Sequence, residues 1–450
     1  MLERGERATT NCQGTTRRSL LRAGVLGLSG LTLADSLRAS AKAQQPSSDR
    51  SVILVWLDGG PPQHETYDPK PDAPAEVRGP LGAIPTKIPG VFLSELFPLQ
   101  AKLMDRISLI RSMHHNNGDH FAAAHWMLTG RFGSNAANMP AMYPSAGSVI
   151  SKTLGPRTPA MPSYVGLPVV HSVGLSPGYH GAAYLGASFN PYATPGDPST
   201  PNYRQDSLDL PTGVTPVRME GRRGLLSAFD EACRAADELS ASGDLDRFQE
   251  QAFSLLTSPA ARRAFNIALE DPRLRDRYGR NRWGQSALIA RRLVQAGVRY
   301  VTLTFDGWDF HANLEQGMKN VLPRLDAAVA TLIEDLEQHG LLESTMVLVM
   351  GEFGRTPRIN KGLPGIPVPG RDHWGQVMSV MTAGGGLRGG TVVGSSGPKG
   401  ERPKDRPIRP QDLLATIYHQ LGIDTDQVFN DKSGRPISIL SDATPIRELV

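Results

Sequence analysis

The sequence predicts an α/β protein built on a central, mostly parallel sheet sandwiched between helices. Three observations predict it. The run Ser51-Val52-Ile53-Leu54-Val55-Trp56-Leu57 is continuously apolar after its first residue and ends in Asp58-Gly59-Gly60, the pattern of a strand buried on both faces. Residues 298–305 and 345–350 are two further runs of the same kind. Between those two, residues 313–339 repeat Val321, Leu325, Val329 and Leu332 at helical spacing, so strand, amphipathic helix and strand make one βαβ unit.

The remaining elements follow in order. Residues 107–112 read as a strand and 120–128 as a short helix. Residues 376–381 read as a later strand, and 410–421 as a closing helix with Pro410 at its start, where a missing N–H costs nothing. Residues 191–217 are dense in Pro, Asp, Ser and Thr and read as a long surface loop. Residues 221–297 are almost wholly helical in pattern, including 225–256 and 283–295, and read as a helical insertion packed on the sheet. The layout expected is an α/β domain over residues 51–425, an insertion at about 190–297 and a C-terminal tail at 426–450.

The first 43 residues carry a different signal. Thr16-Arg17-Arg18-Ser19-Leu20-Leu21-Arg22 precedes an uncharged apolar stretch at 23–34, and Ala39-Ser40-Ala41 and Ala41-Lys42-Ala43 offer small-residue exits. This is the form of a cleavable twin-arginine (Tat) signal, which implies passage through the Tat translocase as a folded protein to the periplasm or the exterior. A stretch of this length does not span ~30 Å of hydrocarbon, and no other segment is apolar enough, so no stable membrane span is expected. Cys12 falls within the signal and leaves Cys233 as the single remaining cysteine, so no internal disulfide is expected. The formal net charge is +4. Basic residues gather at 262–292 with few aromatics between them, a solvated helix face rather than a nucleic-acid site.

In open parallel sheets ligands bind where the carboxyl ends of strands, the following loops and helix N-termini converge. Asp58 follows the first strand. Asp309 and His311 follow the strand at 298–305, Glu352 follows the strand at 345–350, and Asp372 and His373 close a Gly- and Pro-rich loop. Carboxylates and imidazoles gathered at one sheet edge repel or lose solvation unless a cation joins them, so a divalent metal is the economical explanation. The mixed O and N donors suit Zn, Mn, Fe or Ca. A second cluster, His114-His115-Asn116-Asn117-Gly118-Asp119-His120, stands at a helix start, and His64 lies close after the first strand. His125 reads as a packed helix residue, and His171, His180, His339 and His419 as structural or surface residues.

These motifs resemble a known family. The strand ending in Asp58-Gly59-Gly60, the helix ending in Leu128-Thr129-Gly130-Arg131, the Asp309-x-His311 pair, Gly351-Glu352-Phe353-Gly354-Arg355-Thr356-Pro357 and Asp372-His373 are similar to the sulfatase and alkaline-phosphatase superfamily. The match is to its exported branch, the domain of unknown function 1501 family, over nearly the whole chain from residue 51 to 421. The resemblance implies an alkaline-phosphatase-like sheet and a metal site in which Asp58 matches the first metal aspartate. It places Asp309 and His311 after a middle strand and Glu352 at the Asp of an Asp-His pair, with Phe353 in place of that histidine and His373 in compensation. In the hydrolase reading, Arg355 holds the anion.

The family's Ser, Thr or Cys nucleophile is missing. Counting back from Arg131 puts His120 near that position, with Asn117 and Asp119 before it. The function expected is an exported metal-dependent hydrolase of an anionic sulfate or phosphate ester. His120 and Arg355 are its catalytic residues, Asp58, Asp309, His311, Glu352, Asp372 and His373 its metal ligands, and His64, Asn117 and Asp119 its substrate contacts. The alternative is a protein of the same fold that binds an anionic ligand, such as a sulfated glycan, without catalysis.

Overall fold

The computed structural model describes residues 49–133, 141–194, 196–201, 203, 218 and 253–450. The expected signal at 1–43, the helix at 225–256 apart from its last residues, and most of the loop at 191–217 lie outside the described residues.

Eight strands form the central sheet: β1 (Ser51–Asp58), β2 (Ile107–Met113), β3 (Tyr164–Leu167), β4 (Tyr192–Ala193), β5 (Tyr300–Asp306), β6 (Thr345–Met350), β7 (Met378–Gly384) and β8 (Val392–Val393), in the order β8-β2-β7-β6-β1-β5-β3-β4. The pairs β6-β1, β1-β5, β5-β3, β3-β4 and β8-β2 are parallel, and β7 runs antiparallel to both of its neighbours. The sheet is thus mostly parallel and helix-covered, as the apolar runs predict.

The burial of β1 shows why those runs carry no polar alternation. Ile53, Val55 and Leu57 face one core and Val52, Leu54 and Trp56 the other, all with no exposed surface. Burying each such side chain contributes about 1.5–3 kcal/mol, so a polar residue on either face would be costly. Helices α3 (Arg282–Gln295) and α4 (Leu314–Gln338) supply the first core. Helices α1 (His120–Thr129), α2 (Ala146–Leu154) and α5 (Pro410–Gln420) supply the second.

Three differences from the sequence reading have physical causes. β3 has only four residues, contains Gly166 and is followed by Pro168, too short and too interrupted to give a strand signal. Tyr192 and Ala193, inside the expected surface loop, pair with Val165 and Gly166 and form the sheet's edge. The expected tail is packed: Val428–Asn430 pairs with Pro436–Ser438, and Leu440, Ile446 and Leu449 are buried in the second core. Among the described residues, no helix is long and apolar enough to cross a membrane.

The register sets up the site. Asp58 lies opposite Asp306, and Trp56 opposite Met350, so β5, β1 and β6 end side by side and release their loops over one edge. A short antiparallel ribbon pairs Arg355 with His373 and Gly354 with Trp374, which folds the 372–374 segment back over the same edge.

Candidate metal centre

Asp309 sits three residues beyond β5, where its loop closes on the turn after β1. That approach requires Gly59: its φ is +118°, and a Cβ there would lie 2.7 Å from the Asp309 backbone nitrogen. The Asp309 carboxylate accepts from Arg355 Nη2 at 2.6 Å and has His311 Nε2 at 3.1 Å and His373 Nε2 at 3.2 Å from its Oδ1. His120 Nε2 is 3.5 Å from Oδ2. Partial burial opposes ionisation of Asp309, but its contacts with His120, His373 and Arg355 outweigh it and hold the carboxyl well below the usual range.

Each imidazole is held from behind. His373 Nδ1 lies 2.8 Å from the Gly118 carbonyl; a carbonyl only accepts, so Nδ1 carries the proton and donates. His311 Nδ1 donates to Asp372 Oδ1 at 2.7 Å, and Asn360 Nδ2 donates to the same oxygen at 3.1 Å. His120 Nδ1 donates to Glu352 Oε1 at 2.7 Å, an oxygen that also accepts from the Gly59 N–H at 3.0 Å.

With their Nδ1 protons committed behind them, His311 and His373 turn Nε2 lone pairs to the inner side, while His120 points Nε2 at Asp309 Oδ2. His311 Nε2 and His373 Nε2 face each other at 2.9 Å, next to the Asp309 carboxylate, and the inner atoms of His120, Asp309 and His373 all lie within 4.8 Å of one another. Acceptors brought this close repel unless a cation stands among them. The Phe353 ring packs on His120 and His373, with centroids 4.8 and 4.5 Å away, and shields one side. Burial pushes the His120 pKa down, but the hydrogen bonds to Asp309 and Glu352 prevail and raise it to about 9.

The expected site residues divide into those brought together and those used elsewhere. Asp309, His311, His373 and His120 converge. Glu352 and Asp372 turn their oxygens to His120 and His311, one step behind the inner atoms. Asp58 is apart from the cluster: Oδ1 accepts from Trp56 Nε1 at 2.9 Å and the Val173 N–H at 2.8 Å, and Oδ2 lies 3.2 Å from His171 Nδ1.

Arg355 does not face open space. It is fully buried, and besides Asp309 it donates to the Gly59, Gly60 and Arg371 carbonyls, so it braces the loops and is not placed to receive an anion. His64 is also buried; its Nε2 donates to the Lys399 carbonyl, and burial together with Arg371 lowers its pKa to about 3. Asn117 Oδ1 accepts from the Asp119 N–H, and Asp119 caps α1 through the Ala122 N–H. Both side chains thus serve the helix start that places His120. His125 is packed between Tyr143 and Tyr179.

Sequence reasoning placed His115 in the second cluster without a role, read His171 as structural or surface, and missed Asn360. His115 Nε2 donates to the Glu352 carbonyl at 2.7 Å. His171 lies four residues beyond the end of β3, so the rule of collecting residues after strands would have found it had so short a strand been visible.

The fold and the cluster together define an α/β protein with a histidine and carboxylate centre at the carboxyl ends of parallel strands. A family model described as "Protein of unknown function (DUF1501)" matches residues 49–450, and the chain belongs to that family. No curated protein matches it. Among solved structures it is similar to the lipoteichoic acid synthase LtaP from Listeria monocytogenes, at 10% identity over 88% of this chain and 76% of that one with a TM-score of 0.38. It is similar to the PsFucS1 sulfatase from Pseudoalteromonas sp., at 15% identity over 89% and 72% with a TM-score of 0.34. It is also similar to the C-terminal periplasmic domain of EcEptC from Escherichia coli in complex with Zn, at 10% identity over 88% and 93% with a TM-score of 0.35.

Proposed function

We propose that the chain is an exported, metal-dependent hydrolase of an anionic ester, a sulfate or a phosphate on a small molecule or glycan, working without a Ser, Thr or Cys nucleophile. One observation carries this reading. His311 Nε2, His373 Nε2 and Asp309 Oδ1 meet within 3.2 Å while the opposite ring nitrogens are committed to Asp372 and the Gly118 carbonyl. Imidazoles oriented from behind by a carboxylate or a carbonyl are the usual preparation for a metal.

Asp309, His311 and His373 are the residues that would hold the ion. Two imidazoles and one carboxylate suit Zn, Mn or Fe better than Ca, which takes six to eight oxygens. When bound, such an ion supplies polarisation of an ester oxygen and acidification of water. His120 gives or takes a proton at Nε2, and Glu352 fixes its ring and stabilises its charged form. Residues 114–120 contain no Ser, Thr or Cys, so the attacking group is water or His120 itself. Phe353 limits solvent on one side of His120 and His373. Export by the Tat route is part of the same proposal, because a protein folded before transport can carry its ion with it.

Elemental analysis of the purified chain is expected to find about one divalent transition metal per chain. Aryl sulfate or aryl phosphate turnover should be lost on chelation and restored by the ion. A protein that holds the ion yet turns over neither ester is, instead, the anionic-ligand binder. A finer prediction concerns Asp372, which is half exposed and so replaceable without unfolding. Asp372→Ala frees the His311 ring and is expected to weaken metal affinity about 10–100-fold in chelator competition. An unchanged affinity removes His311 from the ligand set.

A further inference from the structure

A cavity of about 290 Å³ opens at the carboxyl ends of β3 and β5, and none of the residues lining it belongs to the cluster above. His171, Asp197, Arg282 and Thr304 supply its polar lining. We infer that this cavity is a separate pocket for a small oxyanion, a sulfate, phosphate or carboxylate group, received by Arg282 and Thr304.

The donors are unequally satisfied. Thr304 is 1% exposed, and its hydroxyl has no partner among the described residues. A hydroxyl buried without a partner costs about 1–3 kcal/mol, so an acceptor in the cavity would relieve it. Arg282 uses one Nη2 bond on Asp306 at 2.5 Å, and its side chain keeps 39% exposure. It is also the first residue of α3, whose N-cap Asn281 accepts from the Trp283 and Gly284 N–H groups. The positive end of the α3 dipole adds to the arginine charge there. His171 also lines the cavity, with Nδ1 3.2 Å from Asp58 Oδ2.

The acidic groups nearby are turned to partners within the protein. Asp306 accepts from Arg282 and Trp283, Asp58 from Trp56 and Val173, and Asp197 from the Ser199 N–H and hydroxyl. The buried Thr304 hydroxyl and the remaining N–H groups of Arg282 are the donors this cavity offers, so the matching ligand is an acceptor. The volume is at the small end for ligand pockets, enough for an oxyanion on a small organic group.

The test is calorimetric titration of the full chain with sulfate, phosphate and acetate in turn, at constant ionic strength. At least one is expected to bind saturably at one site. Arg282→Gln should raise its Kd about tenfold or more, the loss of a charged partner. Thr304→Val keeps the shape, removes an unsatisfied hydroxyl and is expected to raise Kd severalfold without lowering Tm, which separates binding from folding. His373→Ala should leave the Kd unchanged, so the result stands whether or not the cluster is a hydrolytic centre. Absence of saturable binding overturns the inference. So does binding indifferent to both Arg282→Gln and Thr304→Val, or binding lost in His373→Ala, which would place the anion at the cluster.

Discussion

His373→Ala is expected to abolish stoichiometric metal binding and to lower turnover of the best aryl ester by about 10³-fold or more, the scale of losing the main electrostatic contribution to an ester's transition state. The reason is geometric. His373 Nε2 lies 2.9 Å from His311 Nε2 and 3.2 Å from Asp309 Oδ1, so it touches both other members of the set. Its side chain is 22% exposed and meets the second core at the Phe353 ring. His120→Ala is expected to behave differently, with metal content kept and turnover reduced about 10²–10⁴-fold, the range for a general acid or base. Elemental analysis beside steady-state rates distinguishes the two. Metal lost in His120→Ala would make His120 a ligand; metal and full turnover retained in His373→Ala would remove the basis of the proposed centre.

The strands were legible where burial is two-sided. β1 and β6 face a core on either side, which demands unbroken apolar runs, and β6 falls at the residues expected, 345–350. β7 begins two residues later than expected and runs to Gly384, because a bulge between Met378 and Val380 blurs its start. β3 was not legible, and with it went His171 and the cavity beside Asp58. Collecting residues after strand ends finds only part of the cluster: Asp309, His311 and His373 converge with His120, while Asp58 lies against His171, and Glu352 and Asp372 stand behind His120 and His311.

What spacing does not encode is which atom faces inward. Glu352 and Asp372 look like ligands in sequence as much as Asp309 does. Only the paths of the loops turn their oxygens onto His120 and His311 instead. Arg355 is the same case. A guanidinium next to a catalytic-looking loop reads as an anion receptor until its carbonyl partners at Gly59, Gly60 and Arg371 are seen.

Those loops depend on a buried pair that no motif announces, and Glu65→Ala is expected to cost about 3–5 kcal/mol of stability, the usual effect of leaving one buried charge unpaired. Glu65 and Arg371 side chains have no exposed surface. Arg371 Nη2 donates to Glu65 Oε1 at 2.7 Å, and its Nε lies 3.1 and 3.0 Å from the two carboxylate oxygens. The same guanidinium donates to the Val77, Thr356 and Pro357 carbonyls. One side chain thus ties the segment after β1, the loop after Arg355 and the residue before Asp372. Glu65→Gln keeps the shape and one acceptor but not the charge, and should fall between wild type and Glu65→Ala in denaturant midpoint. A double replacement by apolar residues of similar volume should not restore wild-type stability, because the three carbonyls would remain unpaired. Since the Arg371 N–H also donates to the Phe310 carbonyl at 2.9 Å, loosening it should spread to Asp309 and His311. Metal affinity is therefore expected to fall together with the midpoint, and a variant that loses stability while keeping full affinity would show that the cluster is held without this pair.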